Sequence, residues 1–189
     1  MLRRRSLVPT LTGRYQLVAP LAHGGTGSVW LAWDRRERRE VAAKVLRATA
    51  GAPDPAVLLR FVREQSLRIR HPHVLAPTGW AAEDDLVVLV TELVRGGSLL
   101  HLVSEHRAFP ESFVVVLLDQ LLQALVAVHA HGVVHGDVKP ANLLLEPTGK
   151  GRPFLRLADF GVATYDADGV RFVPGVPVGT PGYLAPEQE

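Results

Sequence analysis

The residues with the clearest chemical potential lie in the segment His135–Gly161. Asp137, Lys139 and Asn142 stand close together in one polar stretch, and Asp159 follows after an apolar strand and a turn. Carboxylate and carboxamide oxygens suit Mg²⁺, and a lysine ammonium is a compact charge for a phosphate. This set of groups indicates a centre that binds Mg²⁺ and orients a hydroxyl group against a phosphate.

Lysine and asparagine are rare in this chain, so their positions are informative. The 21 basic residues comprise three lysines and eighteen arginines, and Asn142 is the only asparagine. Two of the lysines, Lys44 and Lys139, fall in segments suited to phosphate binding. Because lysine and arginine are not interchangeable at such sites, this placement favours a functional role over chance.

Bulk properties exclude several classes of function. The 189 residues can form one or two domains, and the net charge of +2 without a basic stripe predicts no nucleic-acid partner. The absence of cysteine excludes disulfides and thiolate metal sites. No unbroken apolar run reaches about 18 residues, so we expect no membrane contact within this chain and a cytoplasmic location. Residues 1–13 are predicted to be a flexible tail.

The elements that must position these residues begin with a strand-rich region, 14–94. Alternating patterns predict five strands, and a glycine-rich turn at 24–27 joins the first two. One helix is predicted between Pro53 or Pro55 and His71. The predicted strands cover about 15–18, 29–33, 41–46, 75–82 and 86–91. This region should therefore form a small antiparallel lobe.

A second region, 95–189, has helical character. Ser98 is a suitable N-cap for a helix that ends near His106. Pro110 opens a longer helix to about His131, with apolar residues spaced to bury one face and Gly132 in the C′ position. The segment His135–Gly161 comes directly after this helix.

Six motifs in one order resemble the catalytic domain of eukaryotic-like (bacterial-type) Ser/Thr protein kinases, from about residue 14 to the last residue. They are Gly24-x-x-Gly27-x-Val29, Val41-Ala42-Ala43-Lys44, His71-Pro72, the 135–142 segment, Asp159-Phe160-Gly161 and Ala185-Pro186-Glu187. The resemblance implies an α+β bilobal fold with a five-stranded N-lobe carrying one helix and a mainly helical C-lobe. Because the chain stops two residues after the last motif, we expect an incomplete C-lobe and a fragment of uncertain activity.

By this resemblance, the chain would transfer the γ-phosphate of ATP, with Mg²⁺, to Ser/Thr hydroxyl groups of proteins. Asp137 would act as the base, Lys139 would neutralise the γ-phosphate, and Thr180 would position the substrate. The metal ligands would be Asn142 and Asp159. The remaining implied catalytic residues are Lys44, on the α- and β-phosphates, and Glu64, which would orient it.

The alternative for Glu64 is an ordinary surface carboxylate. It lies about half a helical turn closer to His71-Pro72 than the family pattern leads us to expect. The nucleotide would be received at Thr91–Val94 through backbone groups of Glu92 and Val94. The full set of implied cofactor-binding residues is Leu21, Gly24, Gly25, Gly27, Val29, Ala42, Lys44, Thr91, Glu92, Val94 and Leu144.

Two departures from the family pattern concern regulation. Gly136 stands where many members have an arginine that pairs with an activation-loop phosphate. The segment 166–179 contains no Ser, Thr or Tyr, although Thr164, Tyr165 and Thr180 flank it. We therefore expect little regulation by activation-loop phosphorylation. Ala22 replaces the family's first glycine, which would stiffen the glycine-rich turn or change the affinity for nucleotide without removing the site.

Two other functions remain open at this point. One is a non-catalytic nucleotide-binding module, and the other is a small-molecule phosphotransferase of the aminoglycoside or choline kinase type. His135 is predicted to brace the loop rather than to catalyse. The histidines with packing or surface roles instead of metal binding are His71, His73, His129 and His131. The oligomeric state is left open.

Overall fold

The chain folds as two compact units. The computed structural model describes residues 10–24, 27–47, 69–83, 86–106, 108–159, 164–165, 179–184 and 186. The first unit comprises Met1–Leu59 and Pro77–Leu93, and the second comprises Arg60–Ala76 and Val94–Glu189. Among the described residues, each unit has its own cluster of buried apolar side chains.

The first unit is an antiparallel sheet of six strands. In space the strands follow the order β1-β2-β3-β4-β6-β5. Their bounds are β1 Thr10–Leu11, β2 Tyr15–Gly24, β3 Gly27–Asp34, β4 Arg39–Arg47, β5 Gly79–Glu83 and β6 Leu86–Glu92. Alternation along β4 buries Val41 and Ala43 completely on one face. Ala42 and Lys44 consequently lie on the opposite face.

Strand β1 lies within the segment that we predicted to be a flexible tail, and it corrects the expected number of strands from five to six. Leu11 is buried in the core of the first unit, which anchors the strand. The turn that follows has positive φ at both Thr12 and Gly13. The backbone N–H of Thr12 donates to the Glu83 carboxylate. A threonine in a left-handed conformation gives little sequence signal, so the hairpin was missed.

The hairpin between β3 and β4 is organised by a buried carboxylate. Asp34 is 1% exposed and accepts two hydrogen bonds from the Arg14 guanidinium, at 3.0 and 2.7 Å. It also accepts the backbone N–H groups of Arg36 and Glu37, at 2.9 and 3.2 Å. The bond from Arg14, against the opposing effect of burial, lowers the pKa of Asp34. The carboxylate thus holds both the turn and the start of β2.

Strand β5 begins later than its predicted start at Leu75. Its first residue is Gly79, because the preceding segment pairs elsewhere: the Leu75 N–H donates to Leu157 O at 2.8 Å, in the second unit. Pro77 has no N–H to offer a ladder, which also ends any strand there. Of the helix predicted between Pro53 or Pro55 and His71, nearly all lies outside the described residues.

The second unit combines two helices with short strands. Its core includes Leu117, Val128 and Leu155. The elements are α1 Leu99–His106, α2 Glu111–His129, β7 Val133–Val134, a 3₁₀ turn Pro140–Asn142, β8 Leu143–Leu145, β9 Leu155–Leu157 and β10 Thr164–Tyr165. Antiparallel pairing joins β8 to β9 and β7 to β10. The two carboxylates of interest lie on the loops that leave β7 and β9.

Both helix starts agree with the sequence. The His101 N–H donates to Ser98 Oγ at 3.3 Å, and α2 begins directly after Pro110. Helix α2 ends at His129, earlier than expected, and Gly132 takes a positive φ of 69° beyond it. The backbone N–H of Gly132 donates to His129 O, so the chain closes with a tighter final turn.

Helix α2 is also long and apolar enough to cross a membrane, judged by its 19 residues and its composition alone. No such segment was expected from the sequence, because polar residues such as Asp119 interrupt the apolar run. A core helix of a soluble domain passes the same test. One face of α2 packs into the core, and the other exposes Val114, Val115, Leu118, Leu122 and Val126.

We predict that Arg14→Gln destabilises the first unit by about 2 kcal/mol, because the buried Asp34 carboxylate loses its charged partner. About a third of the Arg14 side chain is exposed, so the loss should stay below that of a fully buried pair. Urea denaturation measures the free energy of unfolding. The control is Arg35→Gln at an exposed position of the same hairpin; equal losses in both variants would contradict the role of the ion pair.

Candidate active site

Asp137 lies at the centre of a hydrogen-bonded cluster on the loop between β7 and β8. Its Oδ2 is 2.7 Å from Lys139 Nζ and accepts Asn142 Nδ2 at 3.0 Å. Asn142 Nδ2 also donates to the backbone oxygen of Asp137 at 2.8 Å. The 3₁₀ turn directly before β8 carries Asn142 back towards Asp137. The loop therefore brings together three of the predicted site residues.

Thr180 joins this cluster from a distant part of the chain. Its hydroxyl donates to Asp137 Oδ1 at 2.6 Å and accepts from Lys139 Nζ at 2.5 Å. The neighbouring Gly179 has a φ of 139°, and a Cβ there would lie 2.6 Å from Leu184 Cδ2 and 3.1 Å from Gly136 O. Only glycine permits this close approach of the Thr180 segment to the loop.

The cluster keeps Asp137 ionised. Burial by itself would raise the pKa of this carboxyl, whose side chain is 13% exposed. The hydrogen bonds from Lys139, Thr180 and Asn142 and the charge of Lys139 outweigh burial, so the pKa lies below its ordinary value. Asp137 is thus an acceptor-only group with fixed orientation. It can orient a hydroxyl group and take its proton as charge develops.

His135 supports the Asp137 loop through hydrogen bonds of its buried ring. It is 1% exposed, and its Nδ1 accepts the backbone N–H of Asp137 at 3.2 Å. Because Nδ1 is an acceptor, the neutral ring carries its proton on Nε2, which donates to Ala158 O at 3.1 Å. Burial lowers the pKa of His135, although the Ala158 bond and nearby carboxylates oppose this. The imidazole therefore ties the Asp137 loop to the residue before Asp159.

Asn142 and Asp159 offer oxygen atoms for a divalent cation. Asn142 Nδ2 already makes two donor bonds to Asp137, which leaves the carboxamide oxygen as the ligand atom. The backbone N–H of Ala158 donates to Asn142 O at 2.9 Å and ties the two segments together. Two hard oxygen donors suit Mg²⁺, which keeps water and phosphate in its remaining positions. Within the described residues no cluster of three His, Asp or Glu forms a separate metal site.

Four of the residues predicted to contact nucleotide share one face of the sheet in the first unit. Lys44 pairs with Val29 on one side and with Leu89 on the other. Two residues earlier, Ala42 pairs with Thr91. Since paired residues of antiparallel strands project to the same side, these side chains lie opposite the core of the unit. The residues brought together are Val29, Ala42, Lys44 and Thr91.

The other predicted nucleotide residues are more scattered. Leu21 is half exposed at an irregular step in the pairing of β2 with β3, and Gly24 pairs with Gly27 at the end of the hairpin. Glu92 is the exposed last residue of β6, and Leu144 is a half-buried residue of β8. Val94 is half-buried and is the first residue of the longer segment of the second unit. Gly25 and Glu64 lie outside the described residues.

A family model described as "Protein kinase domain" matches residues 15–188, which is more than nine tenths of the chain. The chain belongs to the protein kinase domain family.

Three relatives that the chain resembles come from bacteria. The chain is 38% identical to the serine/threonine-protein kinase PkaA of Streptomyces coelicolor, and the match covers 92% of this chain and 34% of the relative. It is 37% identical to PknA of Mycobacterium tuberculosis, over 95% of this chain and 42% of the relative. For pkn2 of Myxococcus xanthus the identity is 37%, over the whole chain and 23% of the relative. The chain thus spans less than half the length of these relatives.

These matches confirm the predicted kinase-like α+β fold and the assignment to bacterial-type serine/threonine kinase domains. Strand β1 lies before residue 15, where the match to the family model begins. The roles of individual site residues remain predictions.

The polar contacts of two buried residues of this kinase domain were not predicted from the sequence. Gln120 is 3% exposed on the core-facing side of α2, and both ends of its carboxamide bond to the chain at β9. His73, which we assigned only to packing or surface, bonds through Nδ1 to Leu155 O at 2.8 Å. A glutamine on the apolar face of a helix was the sequence signal that could have revealed the first.

We predict that the kinase domain loses stability as the pH falls from 7 towards 5, because the folded state keeps His135 neutral while the unfolded state protonates it near pH 6.5. The pKa of His135 is lower in the folded state than in the unfolded state. Between these two pKa values, the free energy of unfolding should fall by up to about 1.4 kcal/mol for each pH unit of acidification. His71, whose pKa is also lowered by burial, adds to the effect.

Denaturation at several pH values measures this slope. His135→Asn should flatten it, and His129→Asn at an exposed position is the control. An unaltered slope in His135→Asn would contradict the assignment, whatever the absolute stability of that variant.

Proposed function

We propose that this domain catalyses the Mg²⁺-dependent transfer of the γ-phosphate of ATP to serine or threonine hydroxyl groups of proteins. The observation that carries the proposal is the cluster in which Asp137 is held by Lys139, Thr180 and Asn142 at 2.6–3.0 Å. A half-buried, oriented carboxylate beside an ammonium group suits a reaction in which a hydroxyl loses a proton while charge grows on a phosphate.

In this proposal the substrate hydroxyl oxygen forms a bond to the γ-phosphorus, and the bond from that phosphorus to the β,γ-bridging oxygen breaks to release ADP. Asp137 orients the hydroxyl and accepts its proton. Lys139 stabilises the charge on the transferred group. Bound Mg²⁺ would neutralise phosphate charge, with Asn142 and Asp159 as its protein ligands.

The first unit would supply most of the nucleotide contacts. Lys44 would meet the α- and β-phosphates, oriented by Glu64, and the backbone at Gly24, Gly25 and Gly27 would approach the phosphates. The adenine would be recognised by backbone groups of Glu92 and Val94 and covered by apolar side chains. Those side chains are Leu21, Val29, Ala42, Thr91 and Leu144. The use of ATP fits a cytoplasmic location for the domain.

We further propose that activation-loop phosphorylation does not control this site. Gly136, at a φ of 73°, offers no cation for a phosphate. The hydroxyl of Thr180 instead bonds directly to Asp137 without any modification, and Gly179 packs closely on Gly136 O. These contacts bring Gly179 and Thr180 against the Asp137 loop without a phosphate, which supports the proposal.

Asp137→Asn should lower the rate of γ-phosphate transfer to a protein substrate at least about 100-fold, because a carboxamide cannot accept the proton. The assay measures Mg²⁺-dependent transfer from ATP to a general serine-containing protein, with aminoglycosides and choline as competing acceptors. Asp119→Asn, at an exposed carboxylate of α2, is the control. Nucleotide binding without transfer in the unaltered protein would support a non-catalytic nucleotide-binding module. Transfer to aminoglycosides or choline alone would support a small-molecule phosphotransferase.

Thr164→Glu should change the transfer rate by less than about tenfold, because Gly136 cannot pair with the added charge. Thr164→Ala serves as the matched variant, since it removes the hydroxyl without adding charge. A tenfold or larger increase in the rate of Thr164→Glu that is absent in Thr164→Ala would contradict the proposal that activation-loop phosphorylation does not control this site.

A further inference from the structure

Strand β9 has only three residues, and the backbone groups on both of its edges have hydrogen-bond partners. On one edge it pairs with β8. On the other edge, the Leu157 N–H donates to His73 O, and Leu157 O accepts the Leu75 N–H, both at 2.8 Å. His73 continues this edge through its side chain, whose Nδ1–H donates to Leu155 O at 2.8 Å. The segment 73–75 thus acts as a neighbouring strand for half of the edge.

Gln120 completes the rest of that edge. Its Oε1 accepts the Leu155 N–H at 2.8 Å, and its Nε2 donates to Pro153 O at 2.8 Å. A carboxamide presents one acceptor and donor hydrogens like a peptide unit, so it can replace a backbone partner where no strand is available. The side chain is 3% exposed, and burial of such a group is unfavourable unless its bonds are made.

The segment that Gln120 fixes leads directly to Asp159. Past β9, the Ala158 N–H donates to Asn142 O at 2.9 Å, and Ala158 O is within 3.1 Å of His135 Nε2. Asp159 then takes a positive φ of 64°. A residue in that conformation stays there only where the surrounding chain is held firmly. A slip in the register of β9 would therefore move the carboxylate of Asp159.

We infer that Gln120 is a positioning residue for Asp159. Its buried carboxamide fixes the register of β9 at Leu155 and thereby fixes the position of the Asp159 carboxylate, the proposed metal ligand. The inference rests on the proposed function, because it takes Asp159 to hold Mg²⁺ beside a nucleotide. Gln120 itself touches neither metal nor nucleotide in this scheme. Its effect should appear in the Mg²⁺ requirement rather than in nucleotide recognition.

The test uses the whole chain and a non-hydrolysable ATP analogue, with binding followed by calorimetry as Mg²⁺ is titrated and again in EDTA. Gln120→Met keeps the length of the side chain and removes both hydrogen bonds. Gln123→Met is the matched control one turn along α2, where the exposed carboxamide bonds only to Asp119 among the described residues. Amide hydrogen exchange of Leu155 without nucleotide reports the lost bond independently.

Gln120→Met should raise the Mg²⁺ concentration for half-saturation about tenfold, as substitutions behind metal ligands do. Binding of the analogue in EDTA should stay within about twofold, and exchange at Leu155 should quicken. Gln123→Met should change none of these quantities. Gln120→Glu retains the acceptor for Leu155 but not the donor for Pro153, so its Mg²⁺ requirement should fall between those of the unaltered protein and Gln120→Met.

Faster exchange at Leu155 with an unchanged Mg²⁺ requirement would overturn the inference and leave Gln120 a purely structural residue. If Gln120→Met does not fold, Gln120→Glu decides by the same criterion. A distinct result is an unaltered protein whose analogue binding does not respond to Mg²⁺. That outcome would overturn the proposed function and the inference together, whereas a Mg²⁺ response that is equal in all variants would overturn the inference alone.

Discussion

Strand β9 cannot hold its position through its own hairpin, and the second unit is arranged around this constraint. Two strands of three residues are too short to be stable on their own. Buried polar side chains supply the missing partners. The structure describes five such residues, and four of them bond to the chain between Pro153 and Asp159 or to the Asp137 loop. They are His73, Gln120, His135 and Asn142.

The same physical rule governs the Asp137 cluster. A carboxylate that is mostly withdrawn from water needs compensating donors, or it becomes protonated. Lys139 and Asn142 lie within five residues of Asp137 and compensate it locally, while Thr180 completes its environment from 43 residues away. The low pKa that results keeps the carboxylate ionised, so both of its oxygens stay hydrogen-bond acceptors. Stability and chemistry are therefore served by the same bonds at this site.

Sequence reasoning succeeded where the determining contacts are local. The offsets of Lys139 and Asn142 from Asp137, the N-cap at Ser98 and the alternation along β4 all follow from short-range geometry. It failed where a partner from elsewhere in the chain decides the outcome. The Leu75 N–H bonds to Leu157 O instead of extending β5, and β1 forms because Leu11 finds a place in the core.

The role of Gln120 shows why composition and periodicity could not reveal the whole site. On the helix alone, a glutamine among leucines and valines is an imperfection in an apolar face. Its significance comes from Pro153 and Leu155, which are 33 and 35 residues distant. The Gln120 carboxamide bonds to the backbone oxygen of Pro153 and to the backbone N–H of Leu155. Because a buried polar side chain is tolerated only when its bonds are satisfied, its presence on that face implies a backbone partner. A sequence contains the first half of that inference, and only the fold contains the second.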